Sequence, residues 1–199
     1  LDEPQNLSSV REMDAAVSIH AVDSLSALLV PEVRDAPSLV DLGSGGGFPG
    51  IALAAALPRL DVTLVESERA KAEWLTRASR RFPNVRVVAD RSETLAREER
   101  GAYPLVTARA LGPLPVVMEL AAPLLEDGGS LVAWRGRRDA AQEQAAAVAG
   151  GVLGLIHTRD TDVTPIPGAS RHFSVWKKTS PTPDSYPRRP GMAAKRPLG

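Results

Sequence analysis

Between residues 39 and 50 the chain reads LVDLGSGGGFPG, a short apolar run ending in an acid, followed by five glycines in eight residues. A run this short and apolar is consistent with a buried strand. Glycine lacks a Cβ, so the backbone behind it can turn tightly and come close to a ligand before a helix begins. Two ligand fingerprints overlap here. Gly43, Gly45 and Gly47 form G-x-G-x-G, while Gly45, Gly47 and Gly50 form the dinucleotide pattern G-x-G-x-x-G.

The rest of the chain alternates in the same manner. SLVDL, DVTLVE, VRVVAD, PLVTARAL and GGSLVAWRG read as strands, separated by a helix after the glycine loop and by ERAKAEWLTRASRRF, LPVVMELAAPLL and DAAQEQAAAVAG. Strand and helix taking turns predicts an α/β fold with a mostly parallel sheet and helices on both faces. GVLGLIHTR and HFSVWKK supply two further edge strands, which brings the sheet to seven. The 199 residues are enough for one such domain and too few for two.

Val10, Met13, Val17, Ala21, Leu25 and Leu28 recur at helical spacing, so residues 12–30 read as an amphipathic helix. The chain divides on this basis into an N-terminal helical segment (1–31), a ligand-binding domain (32–178) and a basic tail (179–199). The tail, TSPTPDSYPRRPGMAAKRPLG, carries too much proline for regular structure and is expected to be extended. The start on Leu1 rather than methionine suggests that the natural chain extends further at that end, with the helical segment only partly present.

Cysteine is absent and His20, His157 and His172 lie far apart, which argues against disulfides, cysteine nucleophiles and a metal centre. No apolar run approaches the roughly 18 residues of a membrane span. Nothing resembles a signal peptide, so a cytoplasmic location is expected; the chain is also expected to act as a monomer. Charge is uneven: residues 1–40 carry a net −5, and from Arg171 onward the net is +6. A basic, proline-rich terminus fits either a solubilising tail or an arm for a polyanion.

The glycine loop alone serves NAD or S-adenosylmethionine (SAM), since both place a charged ligand on backbone amides and a helix N-terminus. Glu66, 23 residues beyond Gly43, stands where an acid can grip both ribose hydroxyls of either. Asp41 favours SAM modestly, because an acid just before the loop suits a cationic amino-acid group better than a pyrophosphate. In VVADRSET, Asp90 ends the third strand, and the polar residues behind it could edge an adenine.

In order and spacing, NLSSVR (6–11), HAVDSL (20–25), DLGSGGGFPGI (41–51), ADRSE (89–93), ARA (108–110), RH (171–172) and YPRRPGMAAKRPL (186–198) resemble the RsmG (GidB) family. These are SAM-dependent enzymes that methylate N7 of a guanine in bacterial 16S ribosomal RNA. The resemblance implies a class I SAM-dependent methyltransferase (Rossmann-like) fold and cofactor contacts at Gly43, Phe48, Ser92, Glu93 and Arg109. Asp41, Gly45, Gly47, Glu66 and Asp90 join that set by position. Two departures stand out: Ile19 replaces the basic residue usual before the histidine, and the family's N-terminal helices are largely missing ahead of Asn6.

Guanine N7 carries an in-plane lone pair, so its methylation needs no prior deprotonation. The sequence agrees: TARAL follows the fourth strand where enzymes acting on exocyclic amines carry D/N-P-P-Y. Catalysis then rests on orientation, and Arg109 is the residue expected beside the reacting groups, at a strand end facing the crevice. His20, Asp23 and Ser24 superficially suggest a nucleophilic triad, but they fall on one helix face and are read as closing the cofactor pocket or meeting RNA. Expected RNA contacts are Asn6, Arg11, His20, Arg135, Arg137, Arg138, Tyr186, Arg188, Arg189, Lys195 and Arg196. The partner is then 16S ribosomal RNA or the small ribosomal subunit. Three rivals remain: a methyltransferase of the same fold acting on a small molecule or protein, an NAD-dependent oxidoreductase, and a non-catalytic RNA-binding module.

Overall fold

The computed structural model describes residues 17–165 and 170–199. Seven strands form one sheet: β1 (Ser38–Leu42), β2 (Asp61–Val65), β3 (Val85–Val88), β4 (Tyr103–Arg109), β5 (Leu125–Arg135), β6 (Leu155–Val163) and β7 (Arg171–Lys178). Their order is β3-β2-β1-β4-β5-β7-β6. The first five are parallel, and β7 runs antiparallel to both β5 and β6. The chain moves outward from β1 in one direction and from β4 in the other, so a crevice opens between them at the carboxyl ends, the usual ligand position in such sheets.

Helices α1 (Gly50–Ala56), α2 (Arg69–Ala78), α3 (Ser92–Glu98), α4 (Leu114–Ala121) and α5 (Ala140–Leu153) alternate with the strands. Parallel strands covered on both faces are apolar throughout, and two buried clusters result. One includes Met118, Leu124 and Trp176, the other Leu39, Leu64 and Phe173. In the second, Trp134 meets Phe173 edge to face at 4.9 Å. α5 starts where the Asp139 side chain accepts from the amides of Ala141 and Gln142 at 3.0 and 3.2 Å. Every residue of α4 is buried, including Glu119.

Two expectations need correction. The described part of residues 12–30 is not one helix. It runs as a π-helical turn (Val17–Val22), a short α turn (Asp23–Leu25) and a 3₁₀ turn (Ser26–Leu29). The hydroxyls of Ser24 and Ser26 bond the carbonyls of His20 and Asp23, competing with the regular backbone ladder. The basic tail is not extended either. Arg100 holds the carbonyls of Thr182, Pro183 and Tyr186, and Arg188 pairs with Glu119. A short helix, α6 (Met192–Lys195), packs against α4 with Ala193 buried. Proline excludes long regular elements, but it does not prevent a segment from docking through its side chains.

Candidate cofactor and acceptor site

The glycine loop joins β1 to α1 at the crevice. Gly43, Gly45 and Gly47 have φ of +65°, +52° and +88°, a region that side chains rarely adopt. The loop is pinned from below: Ser44 donates its amide to Val65 O at 3.0 Å and its hydroxyl to Asp41 O at 2.9 Å. A Cβ on Gly43 would sit 2.5 Å from Leu111, whereas one on Gly45 would meet only Gly43 O, at 3.8 Å. The surface of the loop at Gly45 is therefore open.

Asp41 does not face a ligand. It is fully buried beneath the loop, with Oδ2 accepting from Gly50 N at 3.2 Å and Oδ1 from the Thr107 hydroxyl at 2.9 Å. Burial pushes its carboxyl up to about 6, against the pull of those hydrogen bonds. Its place is that of a tie between β1, β4 and the first turn of α1.

Glu66 follows β2 and accepts from Gly45 N at 2.9 Å and from Glu68 N at 2.8 Å. It braces the loop, and its carboxylate keeps further acceptor capacity at the crevice. Beside it lies a cavity of about 200 Å³ lined by Gly43, Asp90, Ser92, Glu93, Leu111 and Val116. Apolar walls with a few polar groups at the rim fit a flat heterocycle. An adenosine-bearing cofactor thus matches the residues present: an open glycine cradle, an acid at the end of β2 and an apolar slot beyond it. Glu93 is itself engaged, accepting from Gly191 N at 2.9 Å. Sequence patterning missed the apolar and small residues of this lining, among them Leu111, Val116, Gly191 and Ala194.

Arg109 ends β4 on the other side of the loop. Its guanidinium donates to Asp23 Oδ2 at 3.0 Å, lies 3.2 Å from His20 Nδ1 and stands 5.6 Å from the centre of the Phe48 ring. His20 stacks on Phe48 with ring centres 5.2 Å apart. Burial and the Arg109 charge lower the His20 pKa, partly opposed by Asp23. A neutral His20 with a lone pair on Nδ1 is the form that accepts from Arg109. Asp23 is buried and also accepts from Arg171 Nε at 3.2 Å. Ser24 is turned away to the His20 carbonyl, so no nucleophilic triad forms. Arg171 entered only as part of a short motif. It joins the site through a 148-residue separation that no local spacing reveals.

Arg109, His20, Asp23, Trp134, Arg135 and Arg171 line a second cavity, of about 450 Å³. Arg135 is half-buried and bonds Gly112 O at 3.0 Å, and burial pulls its pKa down. Among the residues expected on RNA, Arg137, Arg189, Lys195 and Arg196 are exposed. Arg138 is instead tied to Asp160, Asp162 and Glu143, and Arg188 to the buried Glu119. Tyr186 packs partly buried against the core rather than presenting a free stacking face. Asn6 and Arg11 lie outside the described residues. No group of three metal-ligating side chains occurs among the described residues, and no helix there is long and apolar enough to cross a membrane.

Comparison with known proteins agrees with this geometry. The family model "rRNA small subunit methyltransferase G" (GidB) matches residues 1–160. The ribosomal RNA small subunit methyltransferase G of Lacticaseibacillus paracasei is 37% identical over 100% of this chain and 85% of its own length. That of Chloroflexus aggregans is 40% identical over 97% of this chain and 82% of its own. Among solved structures, a 16S rRNA (adenine(1408)-N(1))-methyltransferase W203A mutant from Catenulisporales acidiphilia, crystallised with its cosubstrate SAM, superimposes with a TM-score of 0.58 at 19% identity. It covers 76% of this chain and 90% of that one. The fold is that of the class I SAM-dependent methyltransferases, and the chain belongs to the rRNA small subunit methyltransferase G family.

Proposed function

We propose that this protein methylates N7 of a guanine in bacterial 16S ribosomal RNA. The observation that carries the reading is Phe48 of the glycine loop, which packs against both His20 and Arg109 and so marks the boundary between the loop and the arginine-lined cavity that those two residues line. Cofactor and acceptor base would meet at that boundary. The relatives' naming as small-subunit RNA methyltransferases supports the substrate class.

SAM, when bound, supplies an electrophilic methyl group on a sulfonium. The chain's own part is to orient. The glycine loop and Glu66 fix the cofactor end, and Arg109, locked by Asp23 and His20, fixes the acceptor side. With the methyl supplied by bound SAM, the in-plane N7 lone pair would accept it without any proton being moved, so the chain need hold no general base. Such a transfer would create no new ion pair, so no oxyanion-type site is demanded. Arg135 and Arg171 give the cavity the positive charge that phosphates require. Exposed Arg137, Arg189, Lys195 and Arg196 are the reserve of outer phosphate contacts. The protein would act in the cytoplasm, as a monomer and without a metal.

The test is transfer of labelled methyl from SAM to small ribosomal subunits of a strain lacking the protein, with the modified base mapped. Label on a single guanine N7 is expected. Label on another atom or another RNA, or none while the protein binds SAM normally, overturns the reading. Gly45→Asp should abolish transfer, because it forces a side chain into a left-handed backbone and sets a carboxylate near Glu66.

A further inference from the structure

The 200 Å³ cavity beside the glycine loop has a wall from a distant part of the sequence. Gly191, Ala193 and Ala194 line it together with Gly43, Ser92 and Leu111. We propose that the C-terminal segment, residues 186–198, is the outer wall of the cofactor site, closing over the adenine end of SAM. The proposal rests on the reading of this cavity as the cofactor's.

The anchoring of the segment supports that role. Glu119 sits on α4, whose other residues are all buried and, apart from it, all apolar. A carboxylate in such surroundings demands a full set of donors. Arg188 provides them: its Nε reaches Oε1 at 2.9 Å and Oε2 at 3.1 Å, its backbone amide reaches Oε1 at 3.1 Å, and Nη2 binds Oε2. Arg188 also donates to the Arg196 carbonyl at 2.7 Å, which folds the segment back on itself. Three residues past Arg188, Gly191 turns with φ of +81° and gives its amide to Glu93 on α3. The segment is therefore fastened to α4 at one point and to the cavity rim at the next, with Ala193 buried and Ala194 exposed at the mouth. Tyr186 and Leu198 pack against the core on either side of these ties. Small side chains at 193 and 194 leave the slot open for a flat ring.

The experiment titrates SAM into the full-length chain by calorimetry, without RNA, for the unsubstituted protein and for Ala194→Phe, Arg188→Gln and Gly45→Asp. Ala194 is exposed, so Ala194→Phe should leave the melting temperature unchanged while narrowing the slot. A tenfold or greater weakening of SAM binding is expected. Arg188→Gln strands Glu119 and should weaken SAM binding by a similar factor wherever it remains folded. Gly45→Asp is the control for the site itself. If Gly45→Asp abolishes binding while Ala194→Phe retains full affinity, the wall assignment is overturned and the cofactor reading stands. If neither substitution affects SAM binding, the cofactor reading of the cavity falls and takes the wall with it.

Discussion

Arg109 donates to the Asp23 carboxylate at 3.0 Å, and only 4% of the Asp23 side chain reaches solvent. The same carboxylate holds Arg171, which is 37% exposed. Asp23 is thus the counter-charge around which two cations of the arginine-lined cavity are set. Asp23→Asn keeps the shape and removes the charge. It should cost about 1–3 kcal/mol of stability, the low side for a broken buried pair because Arg171 is partly hydrated. Loss of the Arg109 orientation should lower kcat on the order of a hundredfold. KM for SAM should change little, since the glycine loop and Glu66 are untouched. Steady-state kinetics that show the loss in KM for SAM rather than in kcat would contradict this role.

The His20 contact carries a pH dependence. Arg109 uses the Nδ1 lone pair at 3.2 Å, and protonation there removes the acceptor and brings two cations together. Burial and Arg109 lower the His20 pKa from its ordinary 6.5. A depressed histidine favours the fold above 6.5 and loses that contribution as pH falls through the lowered value. Activity should therefore hold at pH 7 and drop on an acid limb below 6.5. His20→Asn offers an amide acceptor that does not titrate, and its pH–rate profile should lose that limb. An unchanged limb would assign the ionisation to another group.

Much of the framework was legible in the sequence because it is local. The alternation of apolar runs and helical stretches, with the glycine cluster after the first run, leads to the observed parallel sheet and to its crevice. What was not legible depends on contacts across long separations. Asp41 ends an apolar run and reads as a ligand, yet Thr107, 66 residues away, and Gly50 enclose it. The tail reads as a free basic arm until Arg188 finds Glu119, 69 residues back. One signal for that pair was present: Glu119 is the only charged residue in LPVVMELA, and an acid in an apolar helix calls for a buried partner. Asp23 and Arg171 gave no such sign, being ordinary charges in mixed surroundings.

Gly50 tests how tightly α1 sits on β1 and β2. A Cβ there would lie 2.2 Å from Leu64 Cδ2 and 3.0 Å from Asp41 Oδ2. Leu64 is fully buried, so its Cδ2 has to shift within packed surroundings to admit the methyl. Gly50→Ala gains up to about 1 kcal/mol of helix propensity, but the overpacking should cost about 1–3 kcal/mol and more if Asp41 is displaced. A net fall in melting temperature of a few degrees, roughly 2–4 °C per kcal/mol, is expected in a chain of this size. A rise in melting temperature would mean that the helix can shift freely and that the tie from Asp41 is weak.

Asp41 itself gives the sharpest dependence of stability on pH. Burial raises its carboxyl in the folded protein to about 6, above the ordinary 3.8. The folded state therefore holds this proton more tightly than the unfolded chain. The resulting stabilisation is complete below 3.8 and is lost as pH rises from there through about 6, to a limit of about 3 kcal/mol. Other carboxylates act in the opposite sense: Arg159 holds Glu32 low and Arg86 holds Glu99 low, so their contributions fade on acidification. Asp41→Asn separates the two. An asparagine amide can accept from Gly50 N and donate to a rotated Thr107 hydroxyl, so the tie survives without the ionisation. Denaturant unfolding of both proteins between pH 4 and pH 7 should show the difference, unsubstituted minus Asp41→Asn, falling steadily as pH rises and levelling above 6. The remaining acids are common to both and cancel. A difference that stays flat, or that grows with pH, would mean that Asp41 stays charged throughout and that the hydrogen bonds from Thr107, Gly50 and its neighbours outweigh its burial.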